Sequence, residues 1–334
     1  MKAKRRLIVI FSVIFLFRVD PLAQNEQWIN FNKDNSGLPS NSIVTIVQDN
    51  NKNYWIGTYD AGLVLFDGIN WTVFNTSNSP LPHNSIKSIA VDSLNNVWIG
   101  TYGGGLAVYN LSEWKIYNTY NSSFPDNWMY SISVDGYNAV WIGTSYKGLV
   151  KFDGDEFIIY NSNNSKLPLD KITYVIADKH NNIWVATPEE TVIIRNGEWY
   201  LDYELFGEIT DYNGYSMFGD NNKLFIAYKF GGLGIFEDST YSSFTTKNSE
   251  IPFEGFYTVA VDHNKNIWLG SFHDGVLKYN GTEWIVFNNK NSSLSDNMIF
   301  CIYVDRNNNK WFCTYFGGIT IYNENLITIK SGNK

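Results

Sequence analysis

The chain has 334 residues, 17% of them aromatic, with 33 acidic against 25 basic side chains and a formal net charge of −8. That balance argues against nucleic acid or an anionic membrane surface as partner, since both call for a cationic face. With 44% apolar residues there is material for a large core, yet the length exceeds what one compact core usually serves.

At the N-terminus, residues 1–6 are basic, residues 7–17 form an apolar run, and Leu22-Ala23-Gln24 offers a small-residue cleavage site. The run is too short to span a bilayer, so residues 1–23 are expected to be a cleaved secretory signal. The mature chain, residues 24–334, is then expected in the periplasm or outside the cell, with no membrane insertion after cleavage. No Cys follows the apolar run, which argues against a lipid anchor.

Trp28-Ile29-Asn30-Phe31 comes next and matches the outer strand of a repeat that fills the rest of the chain. The repeat's phrase reads Asn53-Tyr54-Trp55-Ile56-Gly57-Thr58, then Gly62-Leu63, Phe66-Asp67-Gly68, Trp71 and Phe74. Its aromatic marker recurs at Trp55, Trp98, Trp141, Trp184, Phe225, Trp268 and Trp311, with five intervals of 43 residues and one of 41. A glycine seven residues later recurs in every copy except one, where Thr191 replaces it. Apolar stretches of four to six residues broken by Asn, Gly, Asp and Ser fit strands and not helices. The period and the short strands predict a seven-bladed β-propeller of four-stranded antiparallel blades, with no helix after residue 23.

In the second copy the strands are expected at residues 86–91, 96–101, 105–109 and 114–117, here called inner, second, third and outer. The marker Trp is expected to fill the wedge between neighbouring blades. Trp28 to Phe31, having no inner strands before it, is expected to supply the missing outer strand of the last blade and close the ring. Residues 326–330 are a rival for that place.

Three motifs have bland readings. Asp49-x-Asn51-x-Asn53, Asp262-x-Asn264-x-Asn266 and Asp305-x-Asn307-x-Asn309 open like calcium loops but lack the Gly and the distal Glu of an EF-hand, so Asx turns are expected. Cys301 and Cys313 fall on neighbouring strands, where either a cross-strand disulfide or two buried thiols fits; without a His cluster they make no zinc site. The fourth and fifth copies break the pattern, with Pro188-Glu189-Glu190 at a turn and an acidic, Tyr-rich stretch over residues 201–213.

The turns between second and third strands should open on the face that carries the interblade loops. They gather Tyr59 and Asp60, Tyr102, Tyr146 and Lys147, Glu189 and Glu190, Lys229 and Phe230, Phe272 with His273 and Asp274, and Tyr315 with Phe316. Inner-strand starts at the channel mouth add Val44, Lys87, Tyr130, Thr173, Tyr215, Tyr257 and Phe300. Aromatic faces with scattered acids suit stacking on sugar rings, while shielding of the blade ends accounts for them equally. No cofactor or metal is called for. The histidines His83, His180, His263 and His273 are scattered over different copies, and no nucleophile elbow or His-x-x-x-His pair occurs.

The phrase Asn96-Val97-Trp98-Ile99-Gly100-Thr101, with Gly104-Gly105-Leu106, Phe66-Asp67-Gly68 and loops such as Asn78-Ser79-Pro80-Leu81-Pro82, resembles the two-component regulator propeller repeat. The resemblance covers residues 28–322. It implies a periplasmic ligand-sensing propeller of the kind that precedes a small β-domain, a membrane helix and signalling domains. Those following parts have no counterpart up to Lys334, so a propeller with an exported binding role is what carries over. In shape the chain is also similar to streptogramin B lyase, whose His and acid roles would fall to His273, Asp274 and Glu189. The expected function is ligand binding without catalysis, with a small molecule or oligosaccharide as ligand. An envelope protein docked on the same face is the alternative, and a metal-assisted lyase is the third.

Overall fold

The computed structural model describes residues 27–206, 214–220, 223–237 and 240–327, so the expected signal over residues 1–23 lies outside the described residues. Among them are seven four-stranded antiparallel sheets. The second blade runs Ile86–Val91, Val97–Thr101, Leu106–Tyr109 and Trp114–Tyr117, within one residue of the expected bounds.

Such a sheet is apolar on both faces, so each blade must bury itself against two neighbours. The buried apolar residues accordingly fall into seven clusters, one per junction. Trp98 packs with Val140, Ile142 and Val150 of the third blade, and Trp311 packs with Tyr54, Ile56 and Phe66 of the first. Burying an indole of roughly 150–250 Å² contributes on the order of 4–6 kcal/mol as an upper figure.

The turns after the inner strands hold the indoles in place. Asp92 is buried; its Oδ1 accepts the N–H groups of Leu94 and Asn96, and its Oδ2 accepts Asn96 Nδ2 and Trp98 Nε1 at 2.7 and 3.0 Å. The same carboxylate-to-indole bond joins Asp49 to Trp55, Asp135 to Trp141, Asp178 to Trp184, Asp262 to Trp268 and Asp305 to Trp311. The motifs that look like calcium loops are therefore Asx turns whose carboxylates are occupied by N–H donors.

Trp28–Phe31 pairs antiparallel with Ile319–Tyr322, completing the seventh blade from the other end of the chain. Its equivalence to an ordinary outer strand is visible at the glycines. A Cβ on Gly62 (φ +97°) would lie 2.2 Å from Phe74 O, and one on Gly318 (φ +82°) would lie 2.2 Å from Phe31 O. Of the rival tail, Leu326 and Ile327 are described, and Ile327 is buried in the cluster between the seventh and first blades; residues 328–330 lie outside the described residues.

One expectation needs correction. A short helix, Asp202–Phe206, occupies the start of the connection after the fourth blade. Where other copies send a Gly N–H to a loop carbonyl, as Gly62 does to Asn84, the N–H of Thr191 is accepted by Asp202 Oδ2 at 3.2 Å. Leu205 and Phe206 then pack on the Trp184 cluster. The acids of this stretch are thus partly structural: Asp202 is buried and Glu204 pairs with Lys166 at 3.0 Å. Glu208, Asp211 and Tyr212 lie outside the described residues.

Cys301 and Cys313 are register partners on adjacent strands and stand as free thiols. Burial pushes the Cys313 thiol above its ordinary range.

Candidate functional site

Each inner strand except the fourth carries a register shift at its first turn, between Ile86 and Ser88 in the second blade and at the matching place in the others. The residue inside the shift is a β-bulge, and a bulge re-aims its side chain out of the sheet's alternation. The bulged residues are Val44, Lys87, Tyr130, Tyr215, Tyr257 and Phe300, which are the channel-mouth positions expected from the sequence. In the fourth blade Thr173 is held instead by bonds from its Oγ1 to Ala186 O and Gly214 O.

The turns after the second strands meet these bulges because their backbones are pinned to the interblade loops. Tyr59 N donates to Ser42 O, Tyr102 N to Ser85 O, Phe272 N to Gly255 O and Tyr315 N to Met298 O. Asp126 and Asp296 work within the loops: Asp126 accepts the N–H groups of Trp128 and Tyr146, and Asp296 those of Met298 and Phe316.

Bulge and turn residues form one aromatic arc over the sixth, seventh, first, second and third blades. Phe272 lies 3.8 Å from Tyr257 by ring centroids, Tyr257 4.9 Å from Phe300, and Phe300 5.1 Å from Tyr315. Tyr315 contacts Phe316 at 4.5 Å and Tyr59 at 6.1 Å, across the junction that the N-terminal strand closes. Lys87 Nζ then bridges the arc, 4.8 Å from the Tyr59 ring and 4.9 Å from the Tyr102 ring, and Tyr102 continues to Tyr130 at 6.4 Å. Beyond it Lys171 Nζ lies 5.7 Å from the Tyr130 ring, and Trp128 meets Tyr146 edge-on.

The charges of this face are uneven. Lys87 is half-buried, and burial lowers its pKa from the ordinary lysine range. Among the described residues no carboxylate pairs with it. The nearby Tyr130 phenol, together with burial and then Tyr146, keeps Tyr102 protonated above its ordinary range.

The structure does not gather all the expected residues into the arc. Glu189 is exposed on a turn closed by Thr187 Oγ1, and Asp60, His273 and Asp274 are exposed at their turns. Phe230 is 71% exposed, with Lys229 Nζ over its ring. The Tyr215 side chain lies outside the described residues. Among the described residues no three His, Cys, Asp or Glu side chains group as metal ligands would. Trp128 and Lys171 were missed; both sit one residue before an inner strand's apolar start, a position whose variation could have flagged them. A separate shallow cleft lies at the outer strands of the third and fourth blades, between Tyr160, Trp199 and Lys166, and includes none of the arc's residues.

Fold and face together define a closed propeller with an aromatic surface on one side. The family model described as two component regulator propeller matches residues 37–60 and 80–103, so the chain carries the repeat of that family. No curated protein matches the sequence. Among solved structures, the extracellular domain of a hybrid two component system from B. thetaiotaomicron is 20% identical with a TM-score of 0.73 over 89% of this chain. The chain spans 39% of that neighbour's length. Virginiamycin B lyase from Staphylococcus aureus is 14% identical, with a TM-score of 0.69 over 88% of this chain and 97% of the lyase. PorZ, a surface component of the type-IX secretion system of Porphyromonas gingivalis, is 16% identical, with a TM-score of 0.70 over 88% of this chain and 47% of its own. These identities establish a shared propeller fold. No helix among the described residues is long and apolar enough to cross a membrane.

Proposed function

We propose that this chain is an exported sensing or binding module that holds a saccharide on its aromatic arc and leaves it chemically unchanged. The observation that carries this reading is the run of ring contacts from Phe272 to Tyr130. Partly exposed Tyr and Phe faces on rigid turns give a pyranose ring flat apolar surface at little entropic cost, and their phenols supply hydrogen bonds. The family repeat and the likeness to extracellular domains of two component systems support a sensing role and an extracytoplasmic location.

A glycan array followed by thermal-shift measurements tests this. The expected result is a saccharide that raises the melting temperature of the parent protein, is weakened by Tyr102→Ala with Phe272→Ala, and is recovered intact after incubation. A bound saccharide indifferent to those substitutions, or one cleaved by the protein, contradicts it.

A protein partner on the same face is the second reading, favoured by the projecting rings of Phe230, Phe316 and Tyr146, which are 71%, 67% and 66% exposed. Pull-down from envelope extracts, with and without Phe316→Ser, separates the two.

A further inference from the structure

Lys87 is the one member of the arc's continuous path that is not aromatic, and its position is unusual for a lysine. It follows the apolar Ile86 at the start of an inner strand, and the bulge between Ile86 and Ser88 turns its side chain onto the face. There its ammonium lies between two tyrosine rings, at 4.8 and 4.9 Å. Each ring offers an attraction of about 0.5–2 kcal/mol to a cation, more as water is excluded. The rings therefore hold the ammonium in place, yet they carry no net charge. A partly desolvated cation gains most from an anion with oxygen acceptors, and none is supplied by the described residues around it. Asp126 spends both oxygens on the backbone of Trp128 and Tyr146, and Asp60, exposed beside Tyr59, forms no ion pair with Lys87.

We propose that Lys87 is the anchor for a carboxylate carried by the saccharide, so that the face selects an acidic sugar, a uronic acid residue, over its neutral counterpart. This rests on the saccharide reading of the same arc and deepens it. The Tyr59 and Tyr102 rings flank the ammonium, so a sugar lying across their exposed edges would bring a C6 carboxylate to Nζ, and the Tyr130 ring beside Tyr102 would put its phenol near a hydroxyl. The net charge of −8 disfavours highly charged anions at the protein surface as a whole. A single carboxylate on an uncharged, hydroxyl-rich body suits such a surface better than a phosphate chain.

The test uses the mature protein, an aldotriouronic acid that carries a single uronate carboxylate, and the same trisaccharide after reduction of that carboxyl group to a primary alcohol. Isothermal titration is expected to give the acidic trisaccharide an affinity at least tenfold above that of the reduced sugar, as a charge-assisted hydrogen bond supplies. Lys87→Met keeps the apolar stem and removes the ammonium; it is expected to abolish that preference, bringing the affinity of the acidic sugar down to that of the reduced one. Equal affinity for the two sugars, or a preference that survives in Lys87→Met, overturns the proposal and leaves the saccharide reading standing. Failure of both sugars to bind the folded protein overturns both. A peptide that binds through its free C-terminal carboxylate in a Lys87-dependent way, with neither sugar binding, assigns the anchor to a protein ligand and likewise overturns it.

Discussion

Ser131 Oγ accepts the backbone N–H of Val175 at 3.1 Å and donates to Val175 O at 3.2 Å, joining the inner strands of two successive blades. An inner strand has one edge facing the channel with no fifth strand to pair it, so its N–H groups need partners. Among the described residues, a hydroxyl two residues past the start of the inner strand supplies one in four of the blades. Ser88 accepts from Ile132, Ser216 from Val259 and Thr258 from Ile302. Cys301 holds the same place beside Ile46 and closes the series toward the first blade.

Ser131→Ala is therefore expected to leave a buried N–H and C=O without their partner. The expected cost is about 1–3 kcal/mol in a urea melt. Ser112→Ala, on an exposed turn, is expected to change nothing measurable.

Asp92→Ala removes the acceptor for four N–H donors, including the Trp98 indole, and is expected to cost about 3–5 kcal/mol, as breaking a buried charged network does. Trp98→Ala, which empties the wedge against the third blade, is expected to cost about 3–5 kcal/mol. Calcium or a chelator is expected to leave the parent's melting temperature unchanged, because the turn carboxylates are already occupied. A calcium-dependent rise would return these turns to the metal-binding reading.

The seventh blade carries a pH-sensitive latch. Lys310 is fully buried; its ammonium pairs with Glu324, which also receives Lys278 at 3.0 Å. Burial pushes the Glu324 carboxyl upward, but the hydrogen bonds from Lys310 and Lys278 outweigh it and hold its pKa below the ordinary carboxylate range. A carboxyl whose folded pKa is depressed stabilises the fold above its unfolded pKa and loses that contribution as pH falls through the folded value. Melting temperature is thus expected to decline from the ordinary glutamate range downward. Glu324→Gln is expected to flatten that part of the pH profile and to lower stability at neutral pH, because Lys310 then loses its paired carboxylate and keeps the neutral Asn308 O, the Trp268 and Tyr322 rings, and a 4.0 Å approach to Asp262.

The blade count, the strand bounds and the closing strand were legible because tryptophan and glycine recur at fixed spacing, and a period of short strands admits few folds. The grouping of turn and inner-strand aromatics was legible too, since turn residues free of the repeat's packing demands vary from copy to copy. The bulge that aims Lys87 and Tyr130 was not, because one extra residue in a strand leaves no mark on composition. The channel-side hydroxyls were visible only by stacking the copies: Thr45, Ser88, Ser131, Tyr174, Ser216 and Thr258 share one column with the Cys301 thiol. The helix Asp202–Phe206 was hidden because five residues are too few to show a helical period, and its place depends on Asp202 accepting the N–H of Thr191.

Oxidative footprinting with and without a bound saccharide tests the recognition face most directly. Tyr59 and Tyr102 stand on the arc at 44% and 38% exposure, while Tyr137, at 81%, lies on a first-hairpin turn of the opposite face and serves as an internal control. Protection of Tyr59 and Tyr102 with Tyr137 unchanged is the expected result. Protection of Tyr137 while Tyr59 and Tyr102 stay fully reactive would place the ligand on the other side of the disc and contradict the assignment.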